Sequence, residues 1–379
     1  MKRIRWLALV TAITAWTTAG QLHAEPQLDW NPEHTSVFIV GLLQWQHPEI
    51  WSSFPECQKD RRDQQLVEYF REVGVPEDRI VYLCDAEATK NRIQQAFCKL
   101  LDATHHGDLL MFYFCGHGCR NADTNETWFA NYDAGETYES AWSVPSIFAA
   151  IEQHFHGNRA LLLADCCHSG ALYDGVLQHR DSRIKYATLT SSYSHNTSTG
   201  NWTFSDCLLA GLRGEPEVDL NDDHVIELDE LAHYTELQLA FIEGQKAMFA
   251  AADNFPRNAR LAAVEGEVKP GVGQRIEAES NGKWYKAKVI DLEEDQVEVH
   301  YVHFDDSADE WISREQTRPY QPAQFAQGDK VDVQWQTDGQ WYPALVLKAW
   351  YGLELVQYDG YDSASDEWVS STSVRLRSQ

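Results

Sequence analysis

The sequence predicts an α/β fold, a mostly parallel sheet sandwiched by helices, followed by two small all-β barrels. Three observations carry this expectation. Apolar runs alternate with amphipathic helical patterns as far as residue 265, composition shifts there, and a segment of roughly 55 residues then occurs twice.

The elements follow in order. TSVFIVGLLQW is a continuous apolar run, as expected of a strand buried on both faces. Arg61 to Val73 has helical periodicity and is ended by Gly74 and Pro76. DRIVYLCD is a second strand, and KNRIQQAFCKLLDA is a helix with Ile93, Ala96, Phe97, Leu100 and Leu101 on one face. GDLLMFYFCGHG reads as a strand broken by glycines, VPSIFAAIEQHF as a helix, RALLLADCCHSG as a fourth strand and IKYATLTSS as a fifth. Such alternation predicts parallel strands covered on both faces, with ligands bound just beyond their carboxyl ends. GHG and CCHSG both lie at such ends.

The repeat runs from Gly273 and again from Gly328. Short alternating strands, Asn-Gly and Asp-Gly turns, and the two copies of DEW at Asp309–Trp311 and Asp366–Trp368 predict two barrels. The expected division is a signal over 1–24, a first domain over 25–265, and barrels over 273–320 and 328–379, with Pro319 to Gln327 as the linker.

The 379 residues carry a formal charge of −27, which argues against nucleic acid and anionic lipid and for basic partners or plain solubility. MKRIRWLALVTAITAWTTAGQLHAEP has a basic start, a short apolar stretch and a small residue, Ala24, before acidic sequence. This is the order of a secretory signal, so the mature chain is expected in the periplasm or outside the cell, with no membrane span. Its eight cysteines, at 57, 84, 98, 115, 119, 166, 167 and 207, permit disulfides in such a compartment, and some suit the core as small hydrophobes.

Chemistry is concentrated in LLLADCCHSGAL. A cysteine attacks a carbonyl as thiolate, so it needs a base within reach. His117 and Cys167 lie about 50 residues apart, at the ends of strands that a right-handed crossover makes neighbours. His168 is a poor base for its own neighbour, because adjacent side chains rarely converge on one point. FYFCGHG followed by ADCCHSG resembles the paired motifs of caspase-like cysteine peptidases, and D-x-C-H-S-G resembles the metacaspase branch. The resemblance covers residues 34 to 265. It implies a caspase-like fold, Cys167 as nucleophile, His117 as general base, and the backbone amides of Gly118 and Cys167 as the oxyanion hole. It also implies an acidic pocket for Arg or Lys, formed by Asp165, by Cys57 and Asp60 of ECQKD, and by Cys115. Ser191, Ser192 and Trp202 are candidates for lining the cleft. Asp165 and Asp60 equally suit capping or loop hydrogen bonds, and Trp202 equally suits packing. Cys57 and Cys115 could meet across the pocket and join.

DLNDDHVIELDE, Asp219 to Glu230, places oxygen ligands at positions of a calcium loop, with Asp219, Asn221, Asp223 and Glu230 as candidates. His224 stands where glycine makes the turn, and an N-capped helix explains the same acids. No cofactor is otherwise required. The repeats resemble Tudor-type barrels of the Tudor-knot or agenet style, through K-W-Y-x-A-x-V, V-x-Y and DEW. That resemblance implies aromatic cages for methylated or basic peptides, with candidates Trp284, Tyr301, Phe304 and Asp306 in the first barrel and Trp341, Tyr358, Tyr361 and Asp362 in the second. The same rings serve equally as barrel core. The function expected is an exported cysteine endopeptidase cleaving after Arg or Lys. The opposing readings are an inert caspase-fold scaffold whose barrels bind peptides, and a thiol-redox or zinc protein using Cys115, Cys119, Cys166 and His168.

Overall fold

The computed structural model describes residues 29–194, 198–253, 255–264, 271–304, 306–320, 324–335, 339–350, 352–361 and 365–377. The stretch read as an export signal lies outside them, as do Asp362 and the side chain of Asp306.

The first domain contains β1 (Thr35–Gly41), α1 (Arg62–Glu72), β2 (Ile80–Cys84), α2 (Lys90–Asp102) and β3 (Leu109–Gly116). A small antiparallel sheet follows, β4 (Gly118–Arg120), β5 (Thr127–Phe129) and β6 (Trp142–Ser143), and then α3 (Val144–His154), β7 (Arg159–Cys166), α4 (Ala171–Gln178) and β8 (Lys185–Thr190). The domain closes with α5 (Thr203–Arg213), β9 (Val225–Glu227), α6 (Leu228–Ile242), β10 (Met248–Ala251) and β11 (Arg260–Ala263). The main sheet runs β10-β8-β7-β3-β1-β2 and is parallel except for the edge strand β10.

Strand alternation divides the core. Val37 and Ile39 face a cluster with Leu66 and Phe70 of α1, Phe204 and Leu208 of α5 and Leu231 of α6. Phe38 and Val40 face the opposite cluster, with Phe97 of α2, Phe148 of α3 and Val176 of α4. The eight helices and strands expected in this domain are all present. Two helices were missed. α5 begins just after Trp202, where no helix was expected, because a serine- and asparagine-rich approach obscures the apolar face of Phe204, Leu208 and Leu212. α4, eight residues long, carries a mid-helix Gly175 that hides its periodicity.

The tail is two curled five-stranded antiparallel sheets of identical order. The first holds β12 (Arg275–Ser280), β13 (Lys283–Leu292), β14 (Gln296–Tyr301), β15 (Glu310–Ser313) and β16 (Thr317–Pro319), ordered β15-β14-β13-β12-β16. The second holds β17 (Lys330–Gln334), β18 (Trp341–Trp350), β19 (Leu353–Tyr358), β20 (Glu367–Ser370) and β21 (Val374–Leu376), ordered β20-β19-β18-β17-β21. The long strands β13 and β18 shift register at corresponding points, and a bulge there bends the sheet round. Leu237, Ala240 and Phe241 of α6 share one buried cluster with Val302 and Tyr320 and with Leu353 and Trp368, so both barrels rest on that helix. Lys286 donates to the Phe241 carbonyl at 3.0 Å, capping the end of α6.

Candidate functional site

β3 and β7 are adjacent and parallel, with Gly116 opposite Cys166 in register. His117 and Cys167 are therefore each the first residue past the end of neighbouring strands. Cys166, still in the strand, points into the core and is 1% exposed, whereas Cys167 is half-buried at the cleft. Close approach explains the glycine at 118, where a Cβ would lie 1.8 Å from the Cys167 carbonyl oxygen. His168 adopts a left-handed φ of 59°, turning the chain sharply after the thiol, and its Nδ1 donates to the Ser194 carbonyl at 3.0 Å. His168 thus fastens a loop, as expected of a residue that is not the base.

The His117 ring packs among Trp45, Trp51 and Phe54. Its Nε2 lies 2.7 Å from the Ser52 carbonyl, which can only accept, so Nε2 carries the proton and the lone pair of the neutral ring is on Nδ1. Burial lowers the His117 pKa. Burial also raises that of Cys167, opposed by a hydrogen bond from the Ser198 amide to its sulfur at 3.2 Å. At rest the two groups are a neutral thiol and a neutral imidazole.

Beside them lies a small cavity of about 30 Å³ lined by Cys57, Cys115, Asp165, Thr199, Gly200 and Trp202, among others. Asp165 accepts a hydrogen bond from Ser205 at 2.7 Å, and Ser205 also meets the Tyr113 hydroxyl at 2.7 Å. Burial pushes the Asp165 carboxyl up to about 7, with Asp206 and Glu243 adding to the rise. Trp202 donates through Nε1 to the Cys57 carbonyl at 3.2 Å, and the Cys57 thiol reaches the Gly200 carbonyl at 3.0 Å. Ser191 and Ser198 hydroxyls lie 3.1 Å apart behind this wall, and the buried Ser192 hydroxyl donates to the Cys166 carbonyl. Cys57 and Cys115 do share the pocket, but both thiols are free.

One expected member is not there. Asp60 faces outward, held by Arg62 and by Gln65 at 2.7 Å, and does not line the cavity. A neighbouring acid that the sequence reading did not single out, Asp63, does not line the cavity either; it is fully buried under β1 and bonded to Arg61 and Tyr82. A Cβ on Gly41 would strike its carboxylate, so the glycine ending β1 was the available signal.

The acidic turn does not fit calcium. Asp219 accepts the amides of Asp223 and His224, and Glu230 accepts those of Leu220, Asn221 and Glu227, as a helix cap would. Among the described residues no group of three or more His, Cys, Asp or Glu could hold a metal ion.

The barrel candidates divide by strand parity. Trp284 and Trp341 lie outside the pockets, stacked under Arg318 and Arg375 at 4.2 and 4.0 Å. Their neighbours Tyr285 and Tyr342 face inward instead, beside Tyr301 and Phe304 in the first barrel and beside Trp335, Tyr358 and Tyr361 in the second. The pattern W-Y-x-A-x-V carried this signal, since tyrosine, not tryptophan, shares parity with the buried Ala and Val. Glu310 and Glu367 accept from Tyr301 and Tyr358 at 3.0 and 2.6 Å.

Residues 70–176 match the metacaspase, peptidase C14 domain family, and residues 273–322 and 328–379 each match the Agenet domain family. The chain thus joins a metacaspase-type domain to two Agenet, Tudor-like domains. Metacaspase-7 of Arabidopsis thaliana is 24% identical over 180 residues, which make up 45% of this chain and 42% of that protein. Among solved structures, a Geobacter sulfurreducens protein aligns at 13% identity with a TM-score of 0.41, covering 61% of this chain and 99% of that one. A crystal structure of tandem Agenet domains 3–4 aligns at 22% identity with a TM-score of 0.14, covering 28% of this chain and 79% of that one.

Proposed function

We propose that the chain is an exported cysteine endopeptidase that cleaves after arginine or lysine, with Cys167 as nucleophile and His117 as general base. One observation carries this reading. A half-buried thiol and an imidazole of fixed tautomer end two adjacent parallel strands, beside a pocket floored by the buried Asp165.

In this reading the substrate's basic side chain reaches Asp165, where a cation stabilises the carboxylate that burial disfavours. The scissile carbonyl then lies over Cys167. As sulfur attacks, His117 takes the thiol proton on Nδ1, and the Ser52 carbonyl stabilises the imidazolium through Nε2–H. The amides of Gly118 and Cys167 receive the developing oxyanion. His117 returns the proton to the leaving amine, and water hydrolyses the thioester. The tail domains serve as modules for basic or methylated polypeptides, in keeping with the charge of −27.

The test is hydrolysis of fluorogenic peptides ending in Arg, Lys or Asp by the reduced chain. Cleavage after Arg and Lys, lost with Cys167→Ala, reduced about 10³-fold with His117→Ala and kept with Cys166→Ala, is the expected outcome. No cleavage in any arm would leave the inert-scaffold reading.

A further inference from the structure

A cavity of about 440 Å³ lies between the peptidase domain and the second barrel. The barrel supplies Trp335, Tyr342, Tyr358 and Tyr361 with Glu367, and the peptidase domain supplies Tyr193 and Lys246. Neither domain makes this site alone. Its aromatic walls and the Glu367 carboxylate suit an alkylammonium group, held by cation–π attraction and by charge. Lys246 already brings one ammonium there, 5.5 Å over the Tyr193 ring, and a second cation would compete with it for Glu367.

The residue before Lys246 reaches the substrate cleft. Gln245 is buried; its amide nitrogen donates to the Ser191 carbonyl and to the Ser198 hydroxyl, and its oxygen accepts the Thr199 N–H at 2.9 Å. Thr199 lines the Asp165 pocket, and the Ser198 amide binds the Cys167 sulfur. Glu243, at the end of α6, holds Asn201 at 3.1 Å and Thr203 at 2.5 Å on the same segment. The wall over Asp165 is therefore tied at several points to the end of the helix on which both barrels rest. As it stands, the pocket of about 30 Å³ has room for about two waters. Release of the wall would widen the space that a basic side chain enters.

We propose that the interdomain cavity is an exosite for an alkylammonium side chain of a polypeptide, lysine or methylated lysine, and that its occupancy displaces Lys246 and releases, through Gln245, the Ser198–Trp202 wall of the substrate pocket. Binding at the barrel opens the cleft. The activity arm of this inference rests on the peptidase reading above; the binding and exchange arms do not.

The test uses the full chain and Nα-acetyl-trimethyllysine methylamide, with the lysine and norleucine analogues beside it. Tryptophan fluorescence reads binding, amide exchange at Thr199 reads the wall, and hydrolysis of an arginine peptide reads the cleft. Both cations bind and norleucine does not, Thr199 exchange quickens, and kcat/KM rises about tenfold. Trp335→Ala weakens binding by about fivefold to tenfold and moves all three responses to correspondingly higher concentration. Gln245→Ala keeps binding and loses the response of the cleft; if it fails to fold, Lys246→Met serves, binding the cations more tightly and raising the basal rate. Failure of either cation to bind, or binding with Thr199 exchange and kcat/KM unchanged, overturns the proposal. If the chain cleaves no arginine peptide at all, the peptidase reading fails and Thr199 exchange alone decides the coupling.

Discussion

The two tail barrels share strand order, bulge position and a tyrosine–glutamate pair, yet differ in what closes them. Where the second has Trp335 as a wall, the repeat places Ser280 in the first. Phe304 is left half exposed in the first barrel, while the aromatic face of the second meets Tyr193 and Lys246 of the peptidase domain. The repeated tryptophan of DEW diverges too. Trp311 is 36% exposed, and Trp368 is 4% exposed against α6. Duplication preserved the scaffold, and a few side chains decided that the aromatic face of one copy is open to solvent while that of the other meets the first domain.

That contrast can be broken most forcefully at the DEW tryptophans. Trp368→Ala should cost about 3–5 kcal/mol in urea unfolding, as the loss of a large buried ring does, and should loosen the barrel from α6. Trp311→Ala should cost under about 1 kcal/mol. Equal losses would mean that the two barrels rest on the peptidase domain alike.

The pocket walls come next. Trp335→Ala should weaken trimethyllysine binding by about fivefold to tenfold, and Ser280→Trp should strengthen binding at the first barrel by a similar factor, read by calorimetry. Binding that depends instead on Trp284 or Trp341 would restore the face that the sequence reading chose.

A smaller effect links the barrel to the cleft. Asp165 and Glu367 are both carboxylates raised by burial; hydrogen bonds from Ser205 and Ser191 ease Asp165 back toward its charged form, and the Tyr358 hydroxyl and the Lys246 ammonium do so for Glu367. Asp165 stands at about 7 without substrate, so below that pH it is neutral and binds a basic side chain poorly. For arginine peptides kcat/KM should climb as pH rises through about 7 and then level. With Asp165→Asn, or with norleucine in place of arginine, that limb should vanish. Only the rise set by neutral His117 should remain, and it should fall at lower pH because burial depresses that ring. An unchanged profile in Asp165→Asn would remove Asp165 from recognition.

Much of this was legible in the sequence, for physical reasons. The buried parallel strands are long apolar runs, so β1, β3 and β7 were readable, and with them the ends that carry His117 and Cys167. Asp165 came from the resemblance alone; strand parity accounts for its place, on the face of β7 opposite Cys166. Asp60 misled because a carboxylate's partner is a tertiary fact: Arg62, two residues on, captures it. Trp341 misled for a different reason. Adjacent Trp and Tyr point to opposite faces, and the Ala-x-Val parity is what selects the tyrosine. Gln245 carried no local signal at all, since its importance comes from reaching Ser191, Ser198 and Thr199, all distant in the chain.

The central claim is that Cys167, and not its neighbour, is the nucleophile in a site that recognises a basic side chain. Labelling the reduced full chain with a peptidyl-arginine chloromethyl ketone, and locating the adduct by mass spectrometry, tests both halves at once. The account predicts a single adduct on Cys167, prevented by excess arginine peptide and absent in His117→Ala over the same interval. Labelling at Cys166 or spread over the cysteines, or an equal rate with an aspartyl reagent, would contradict it.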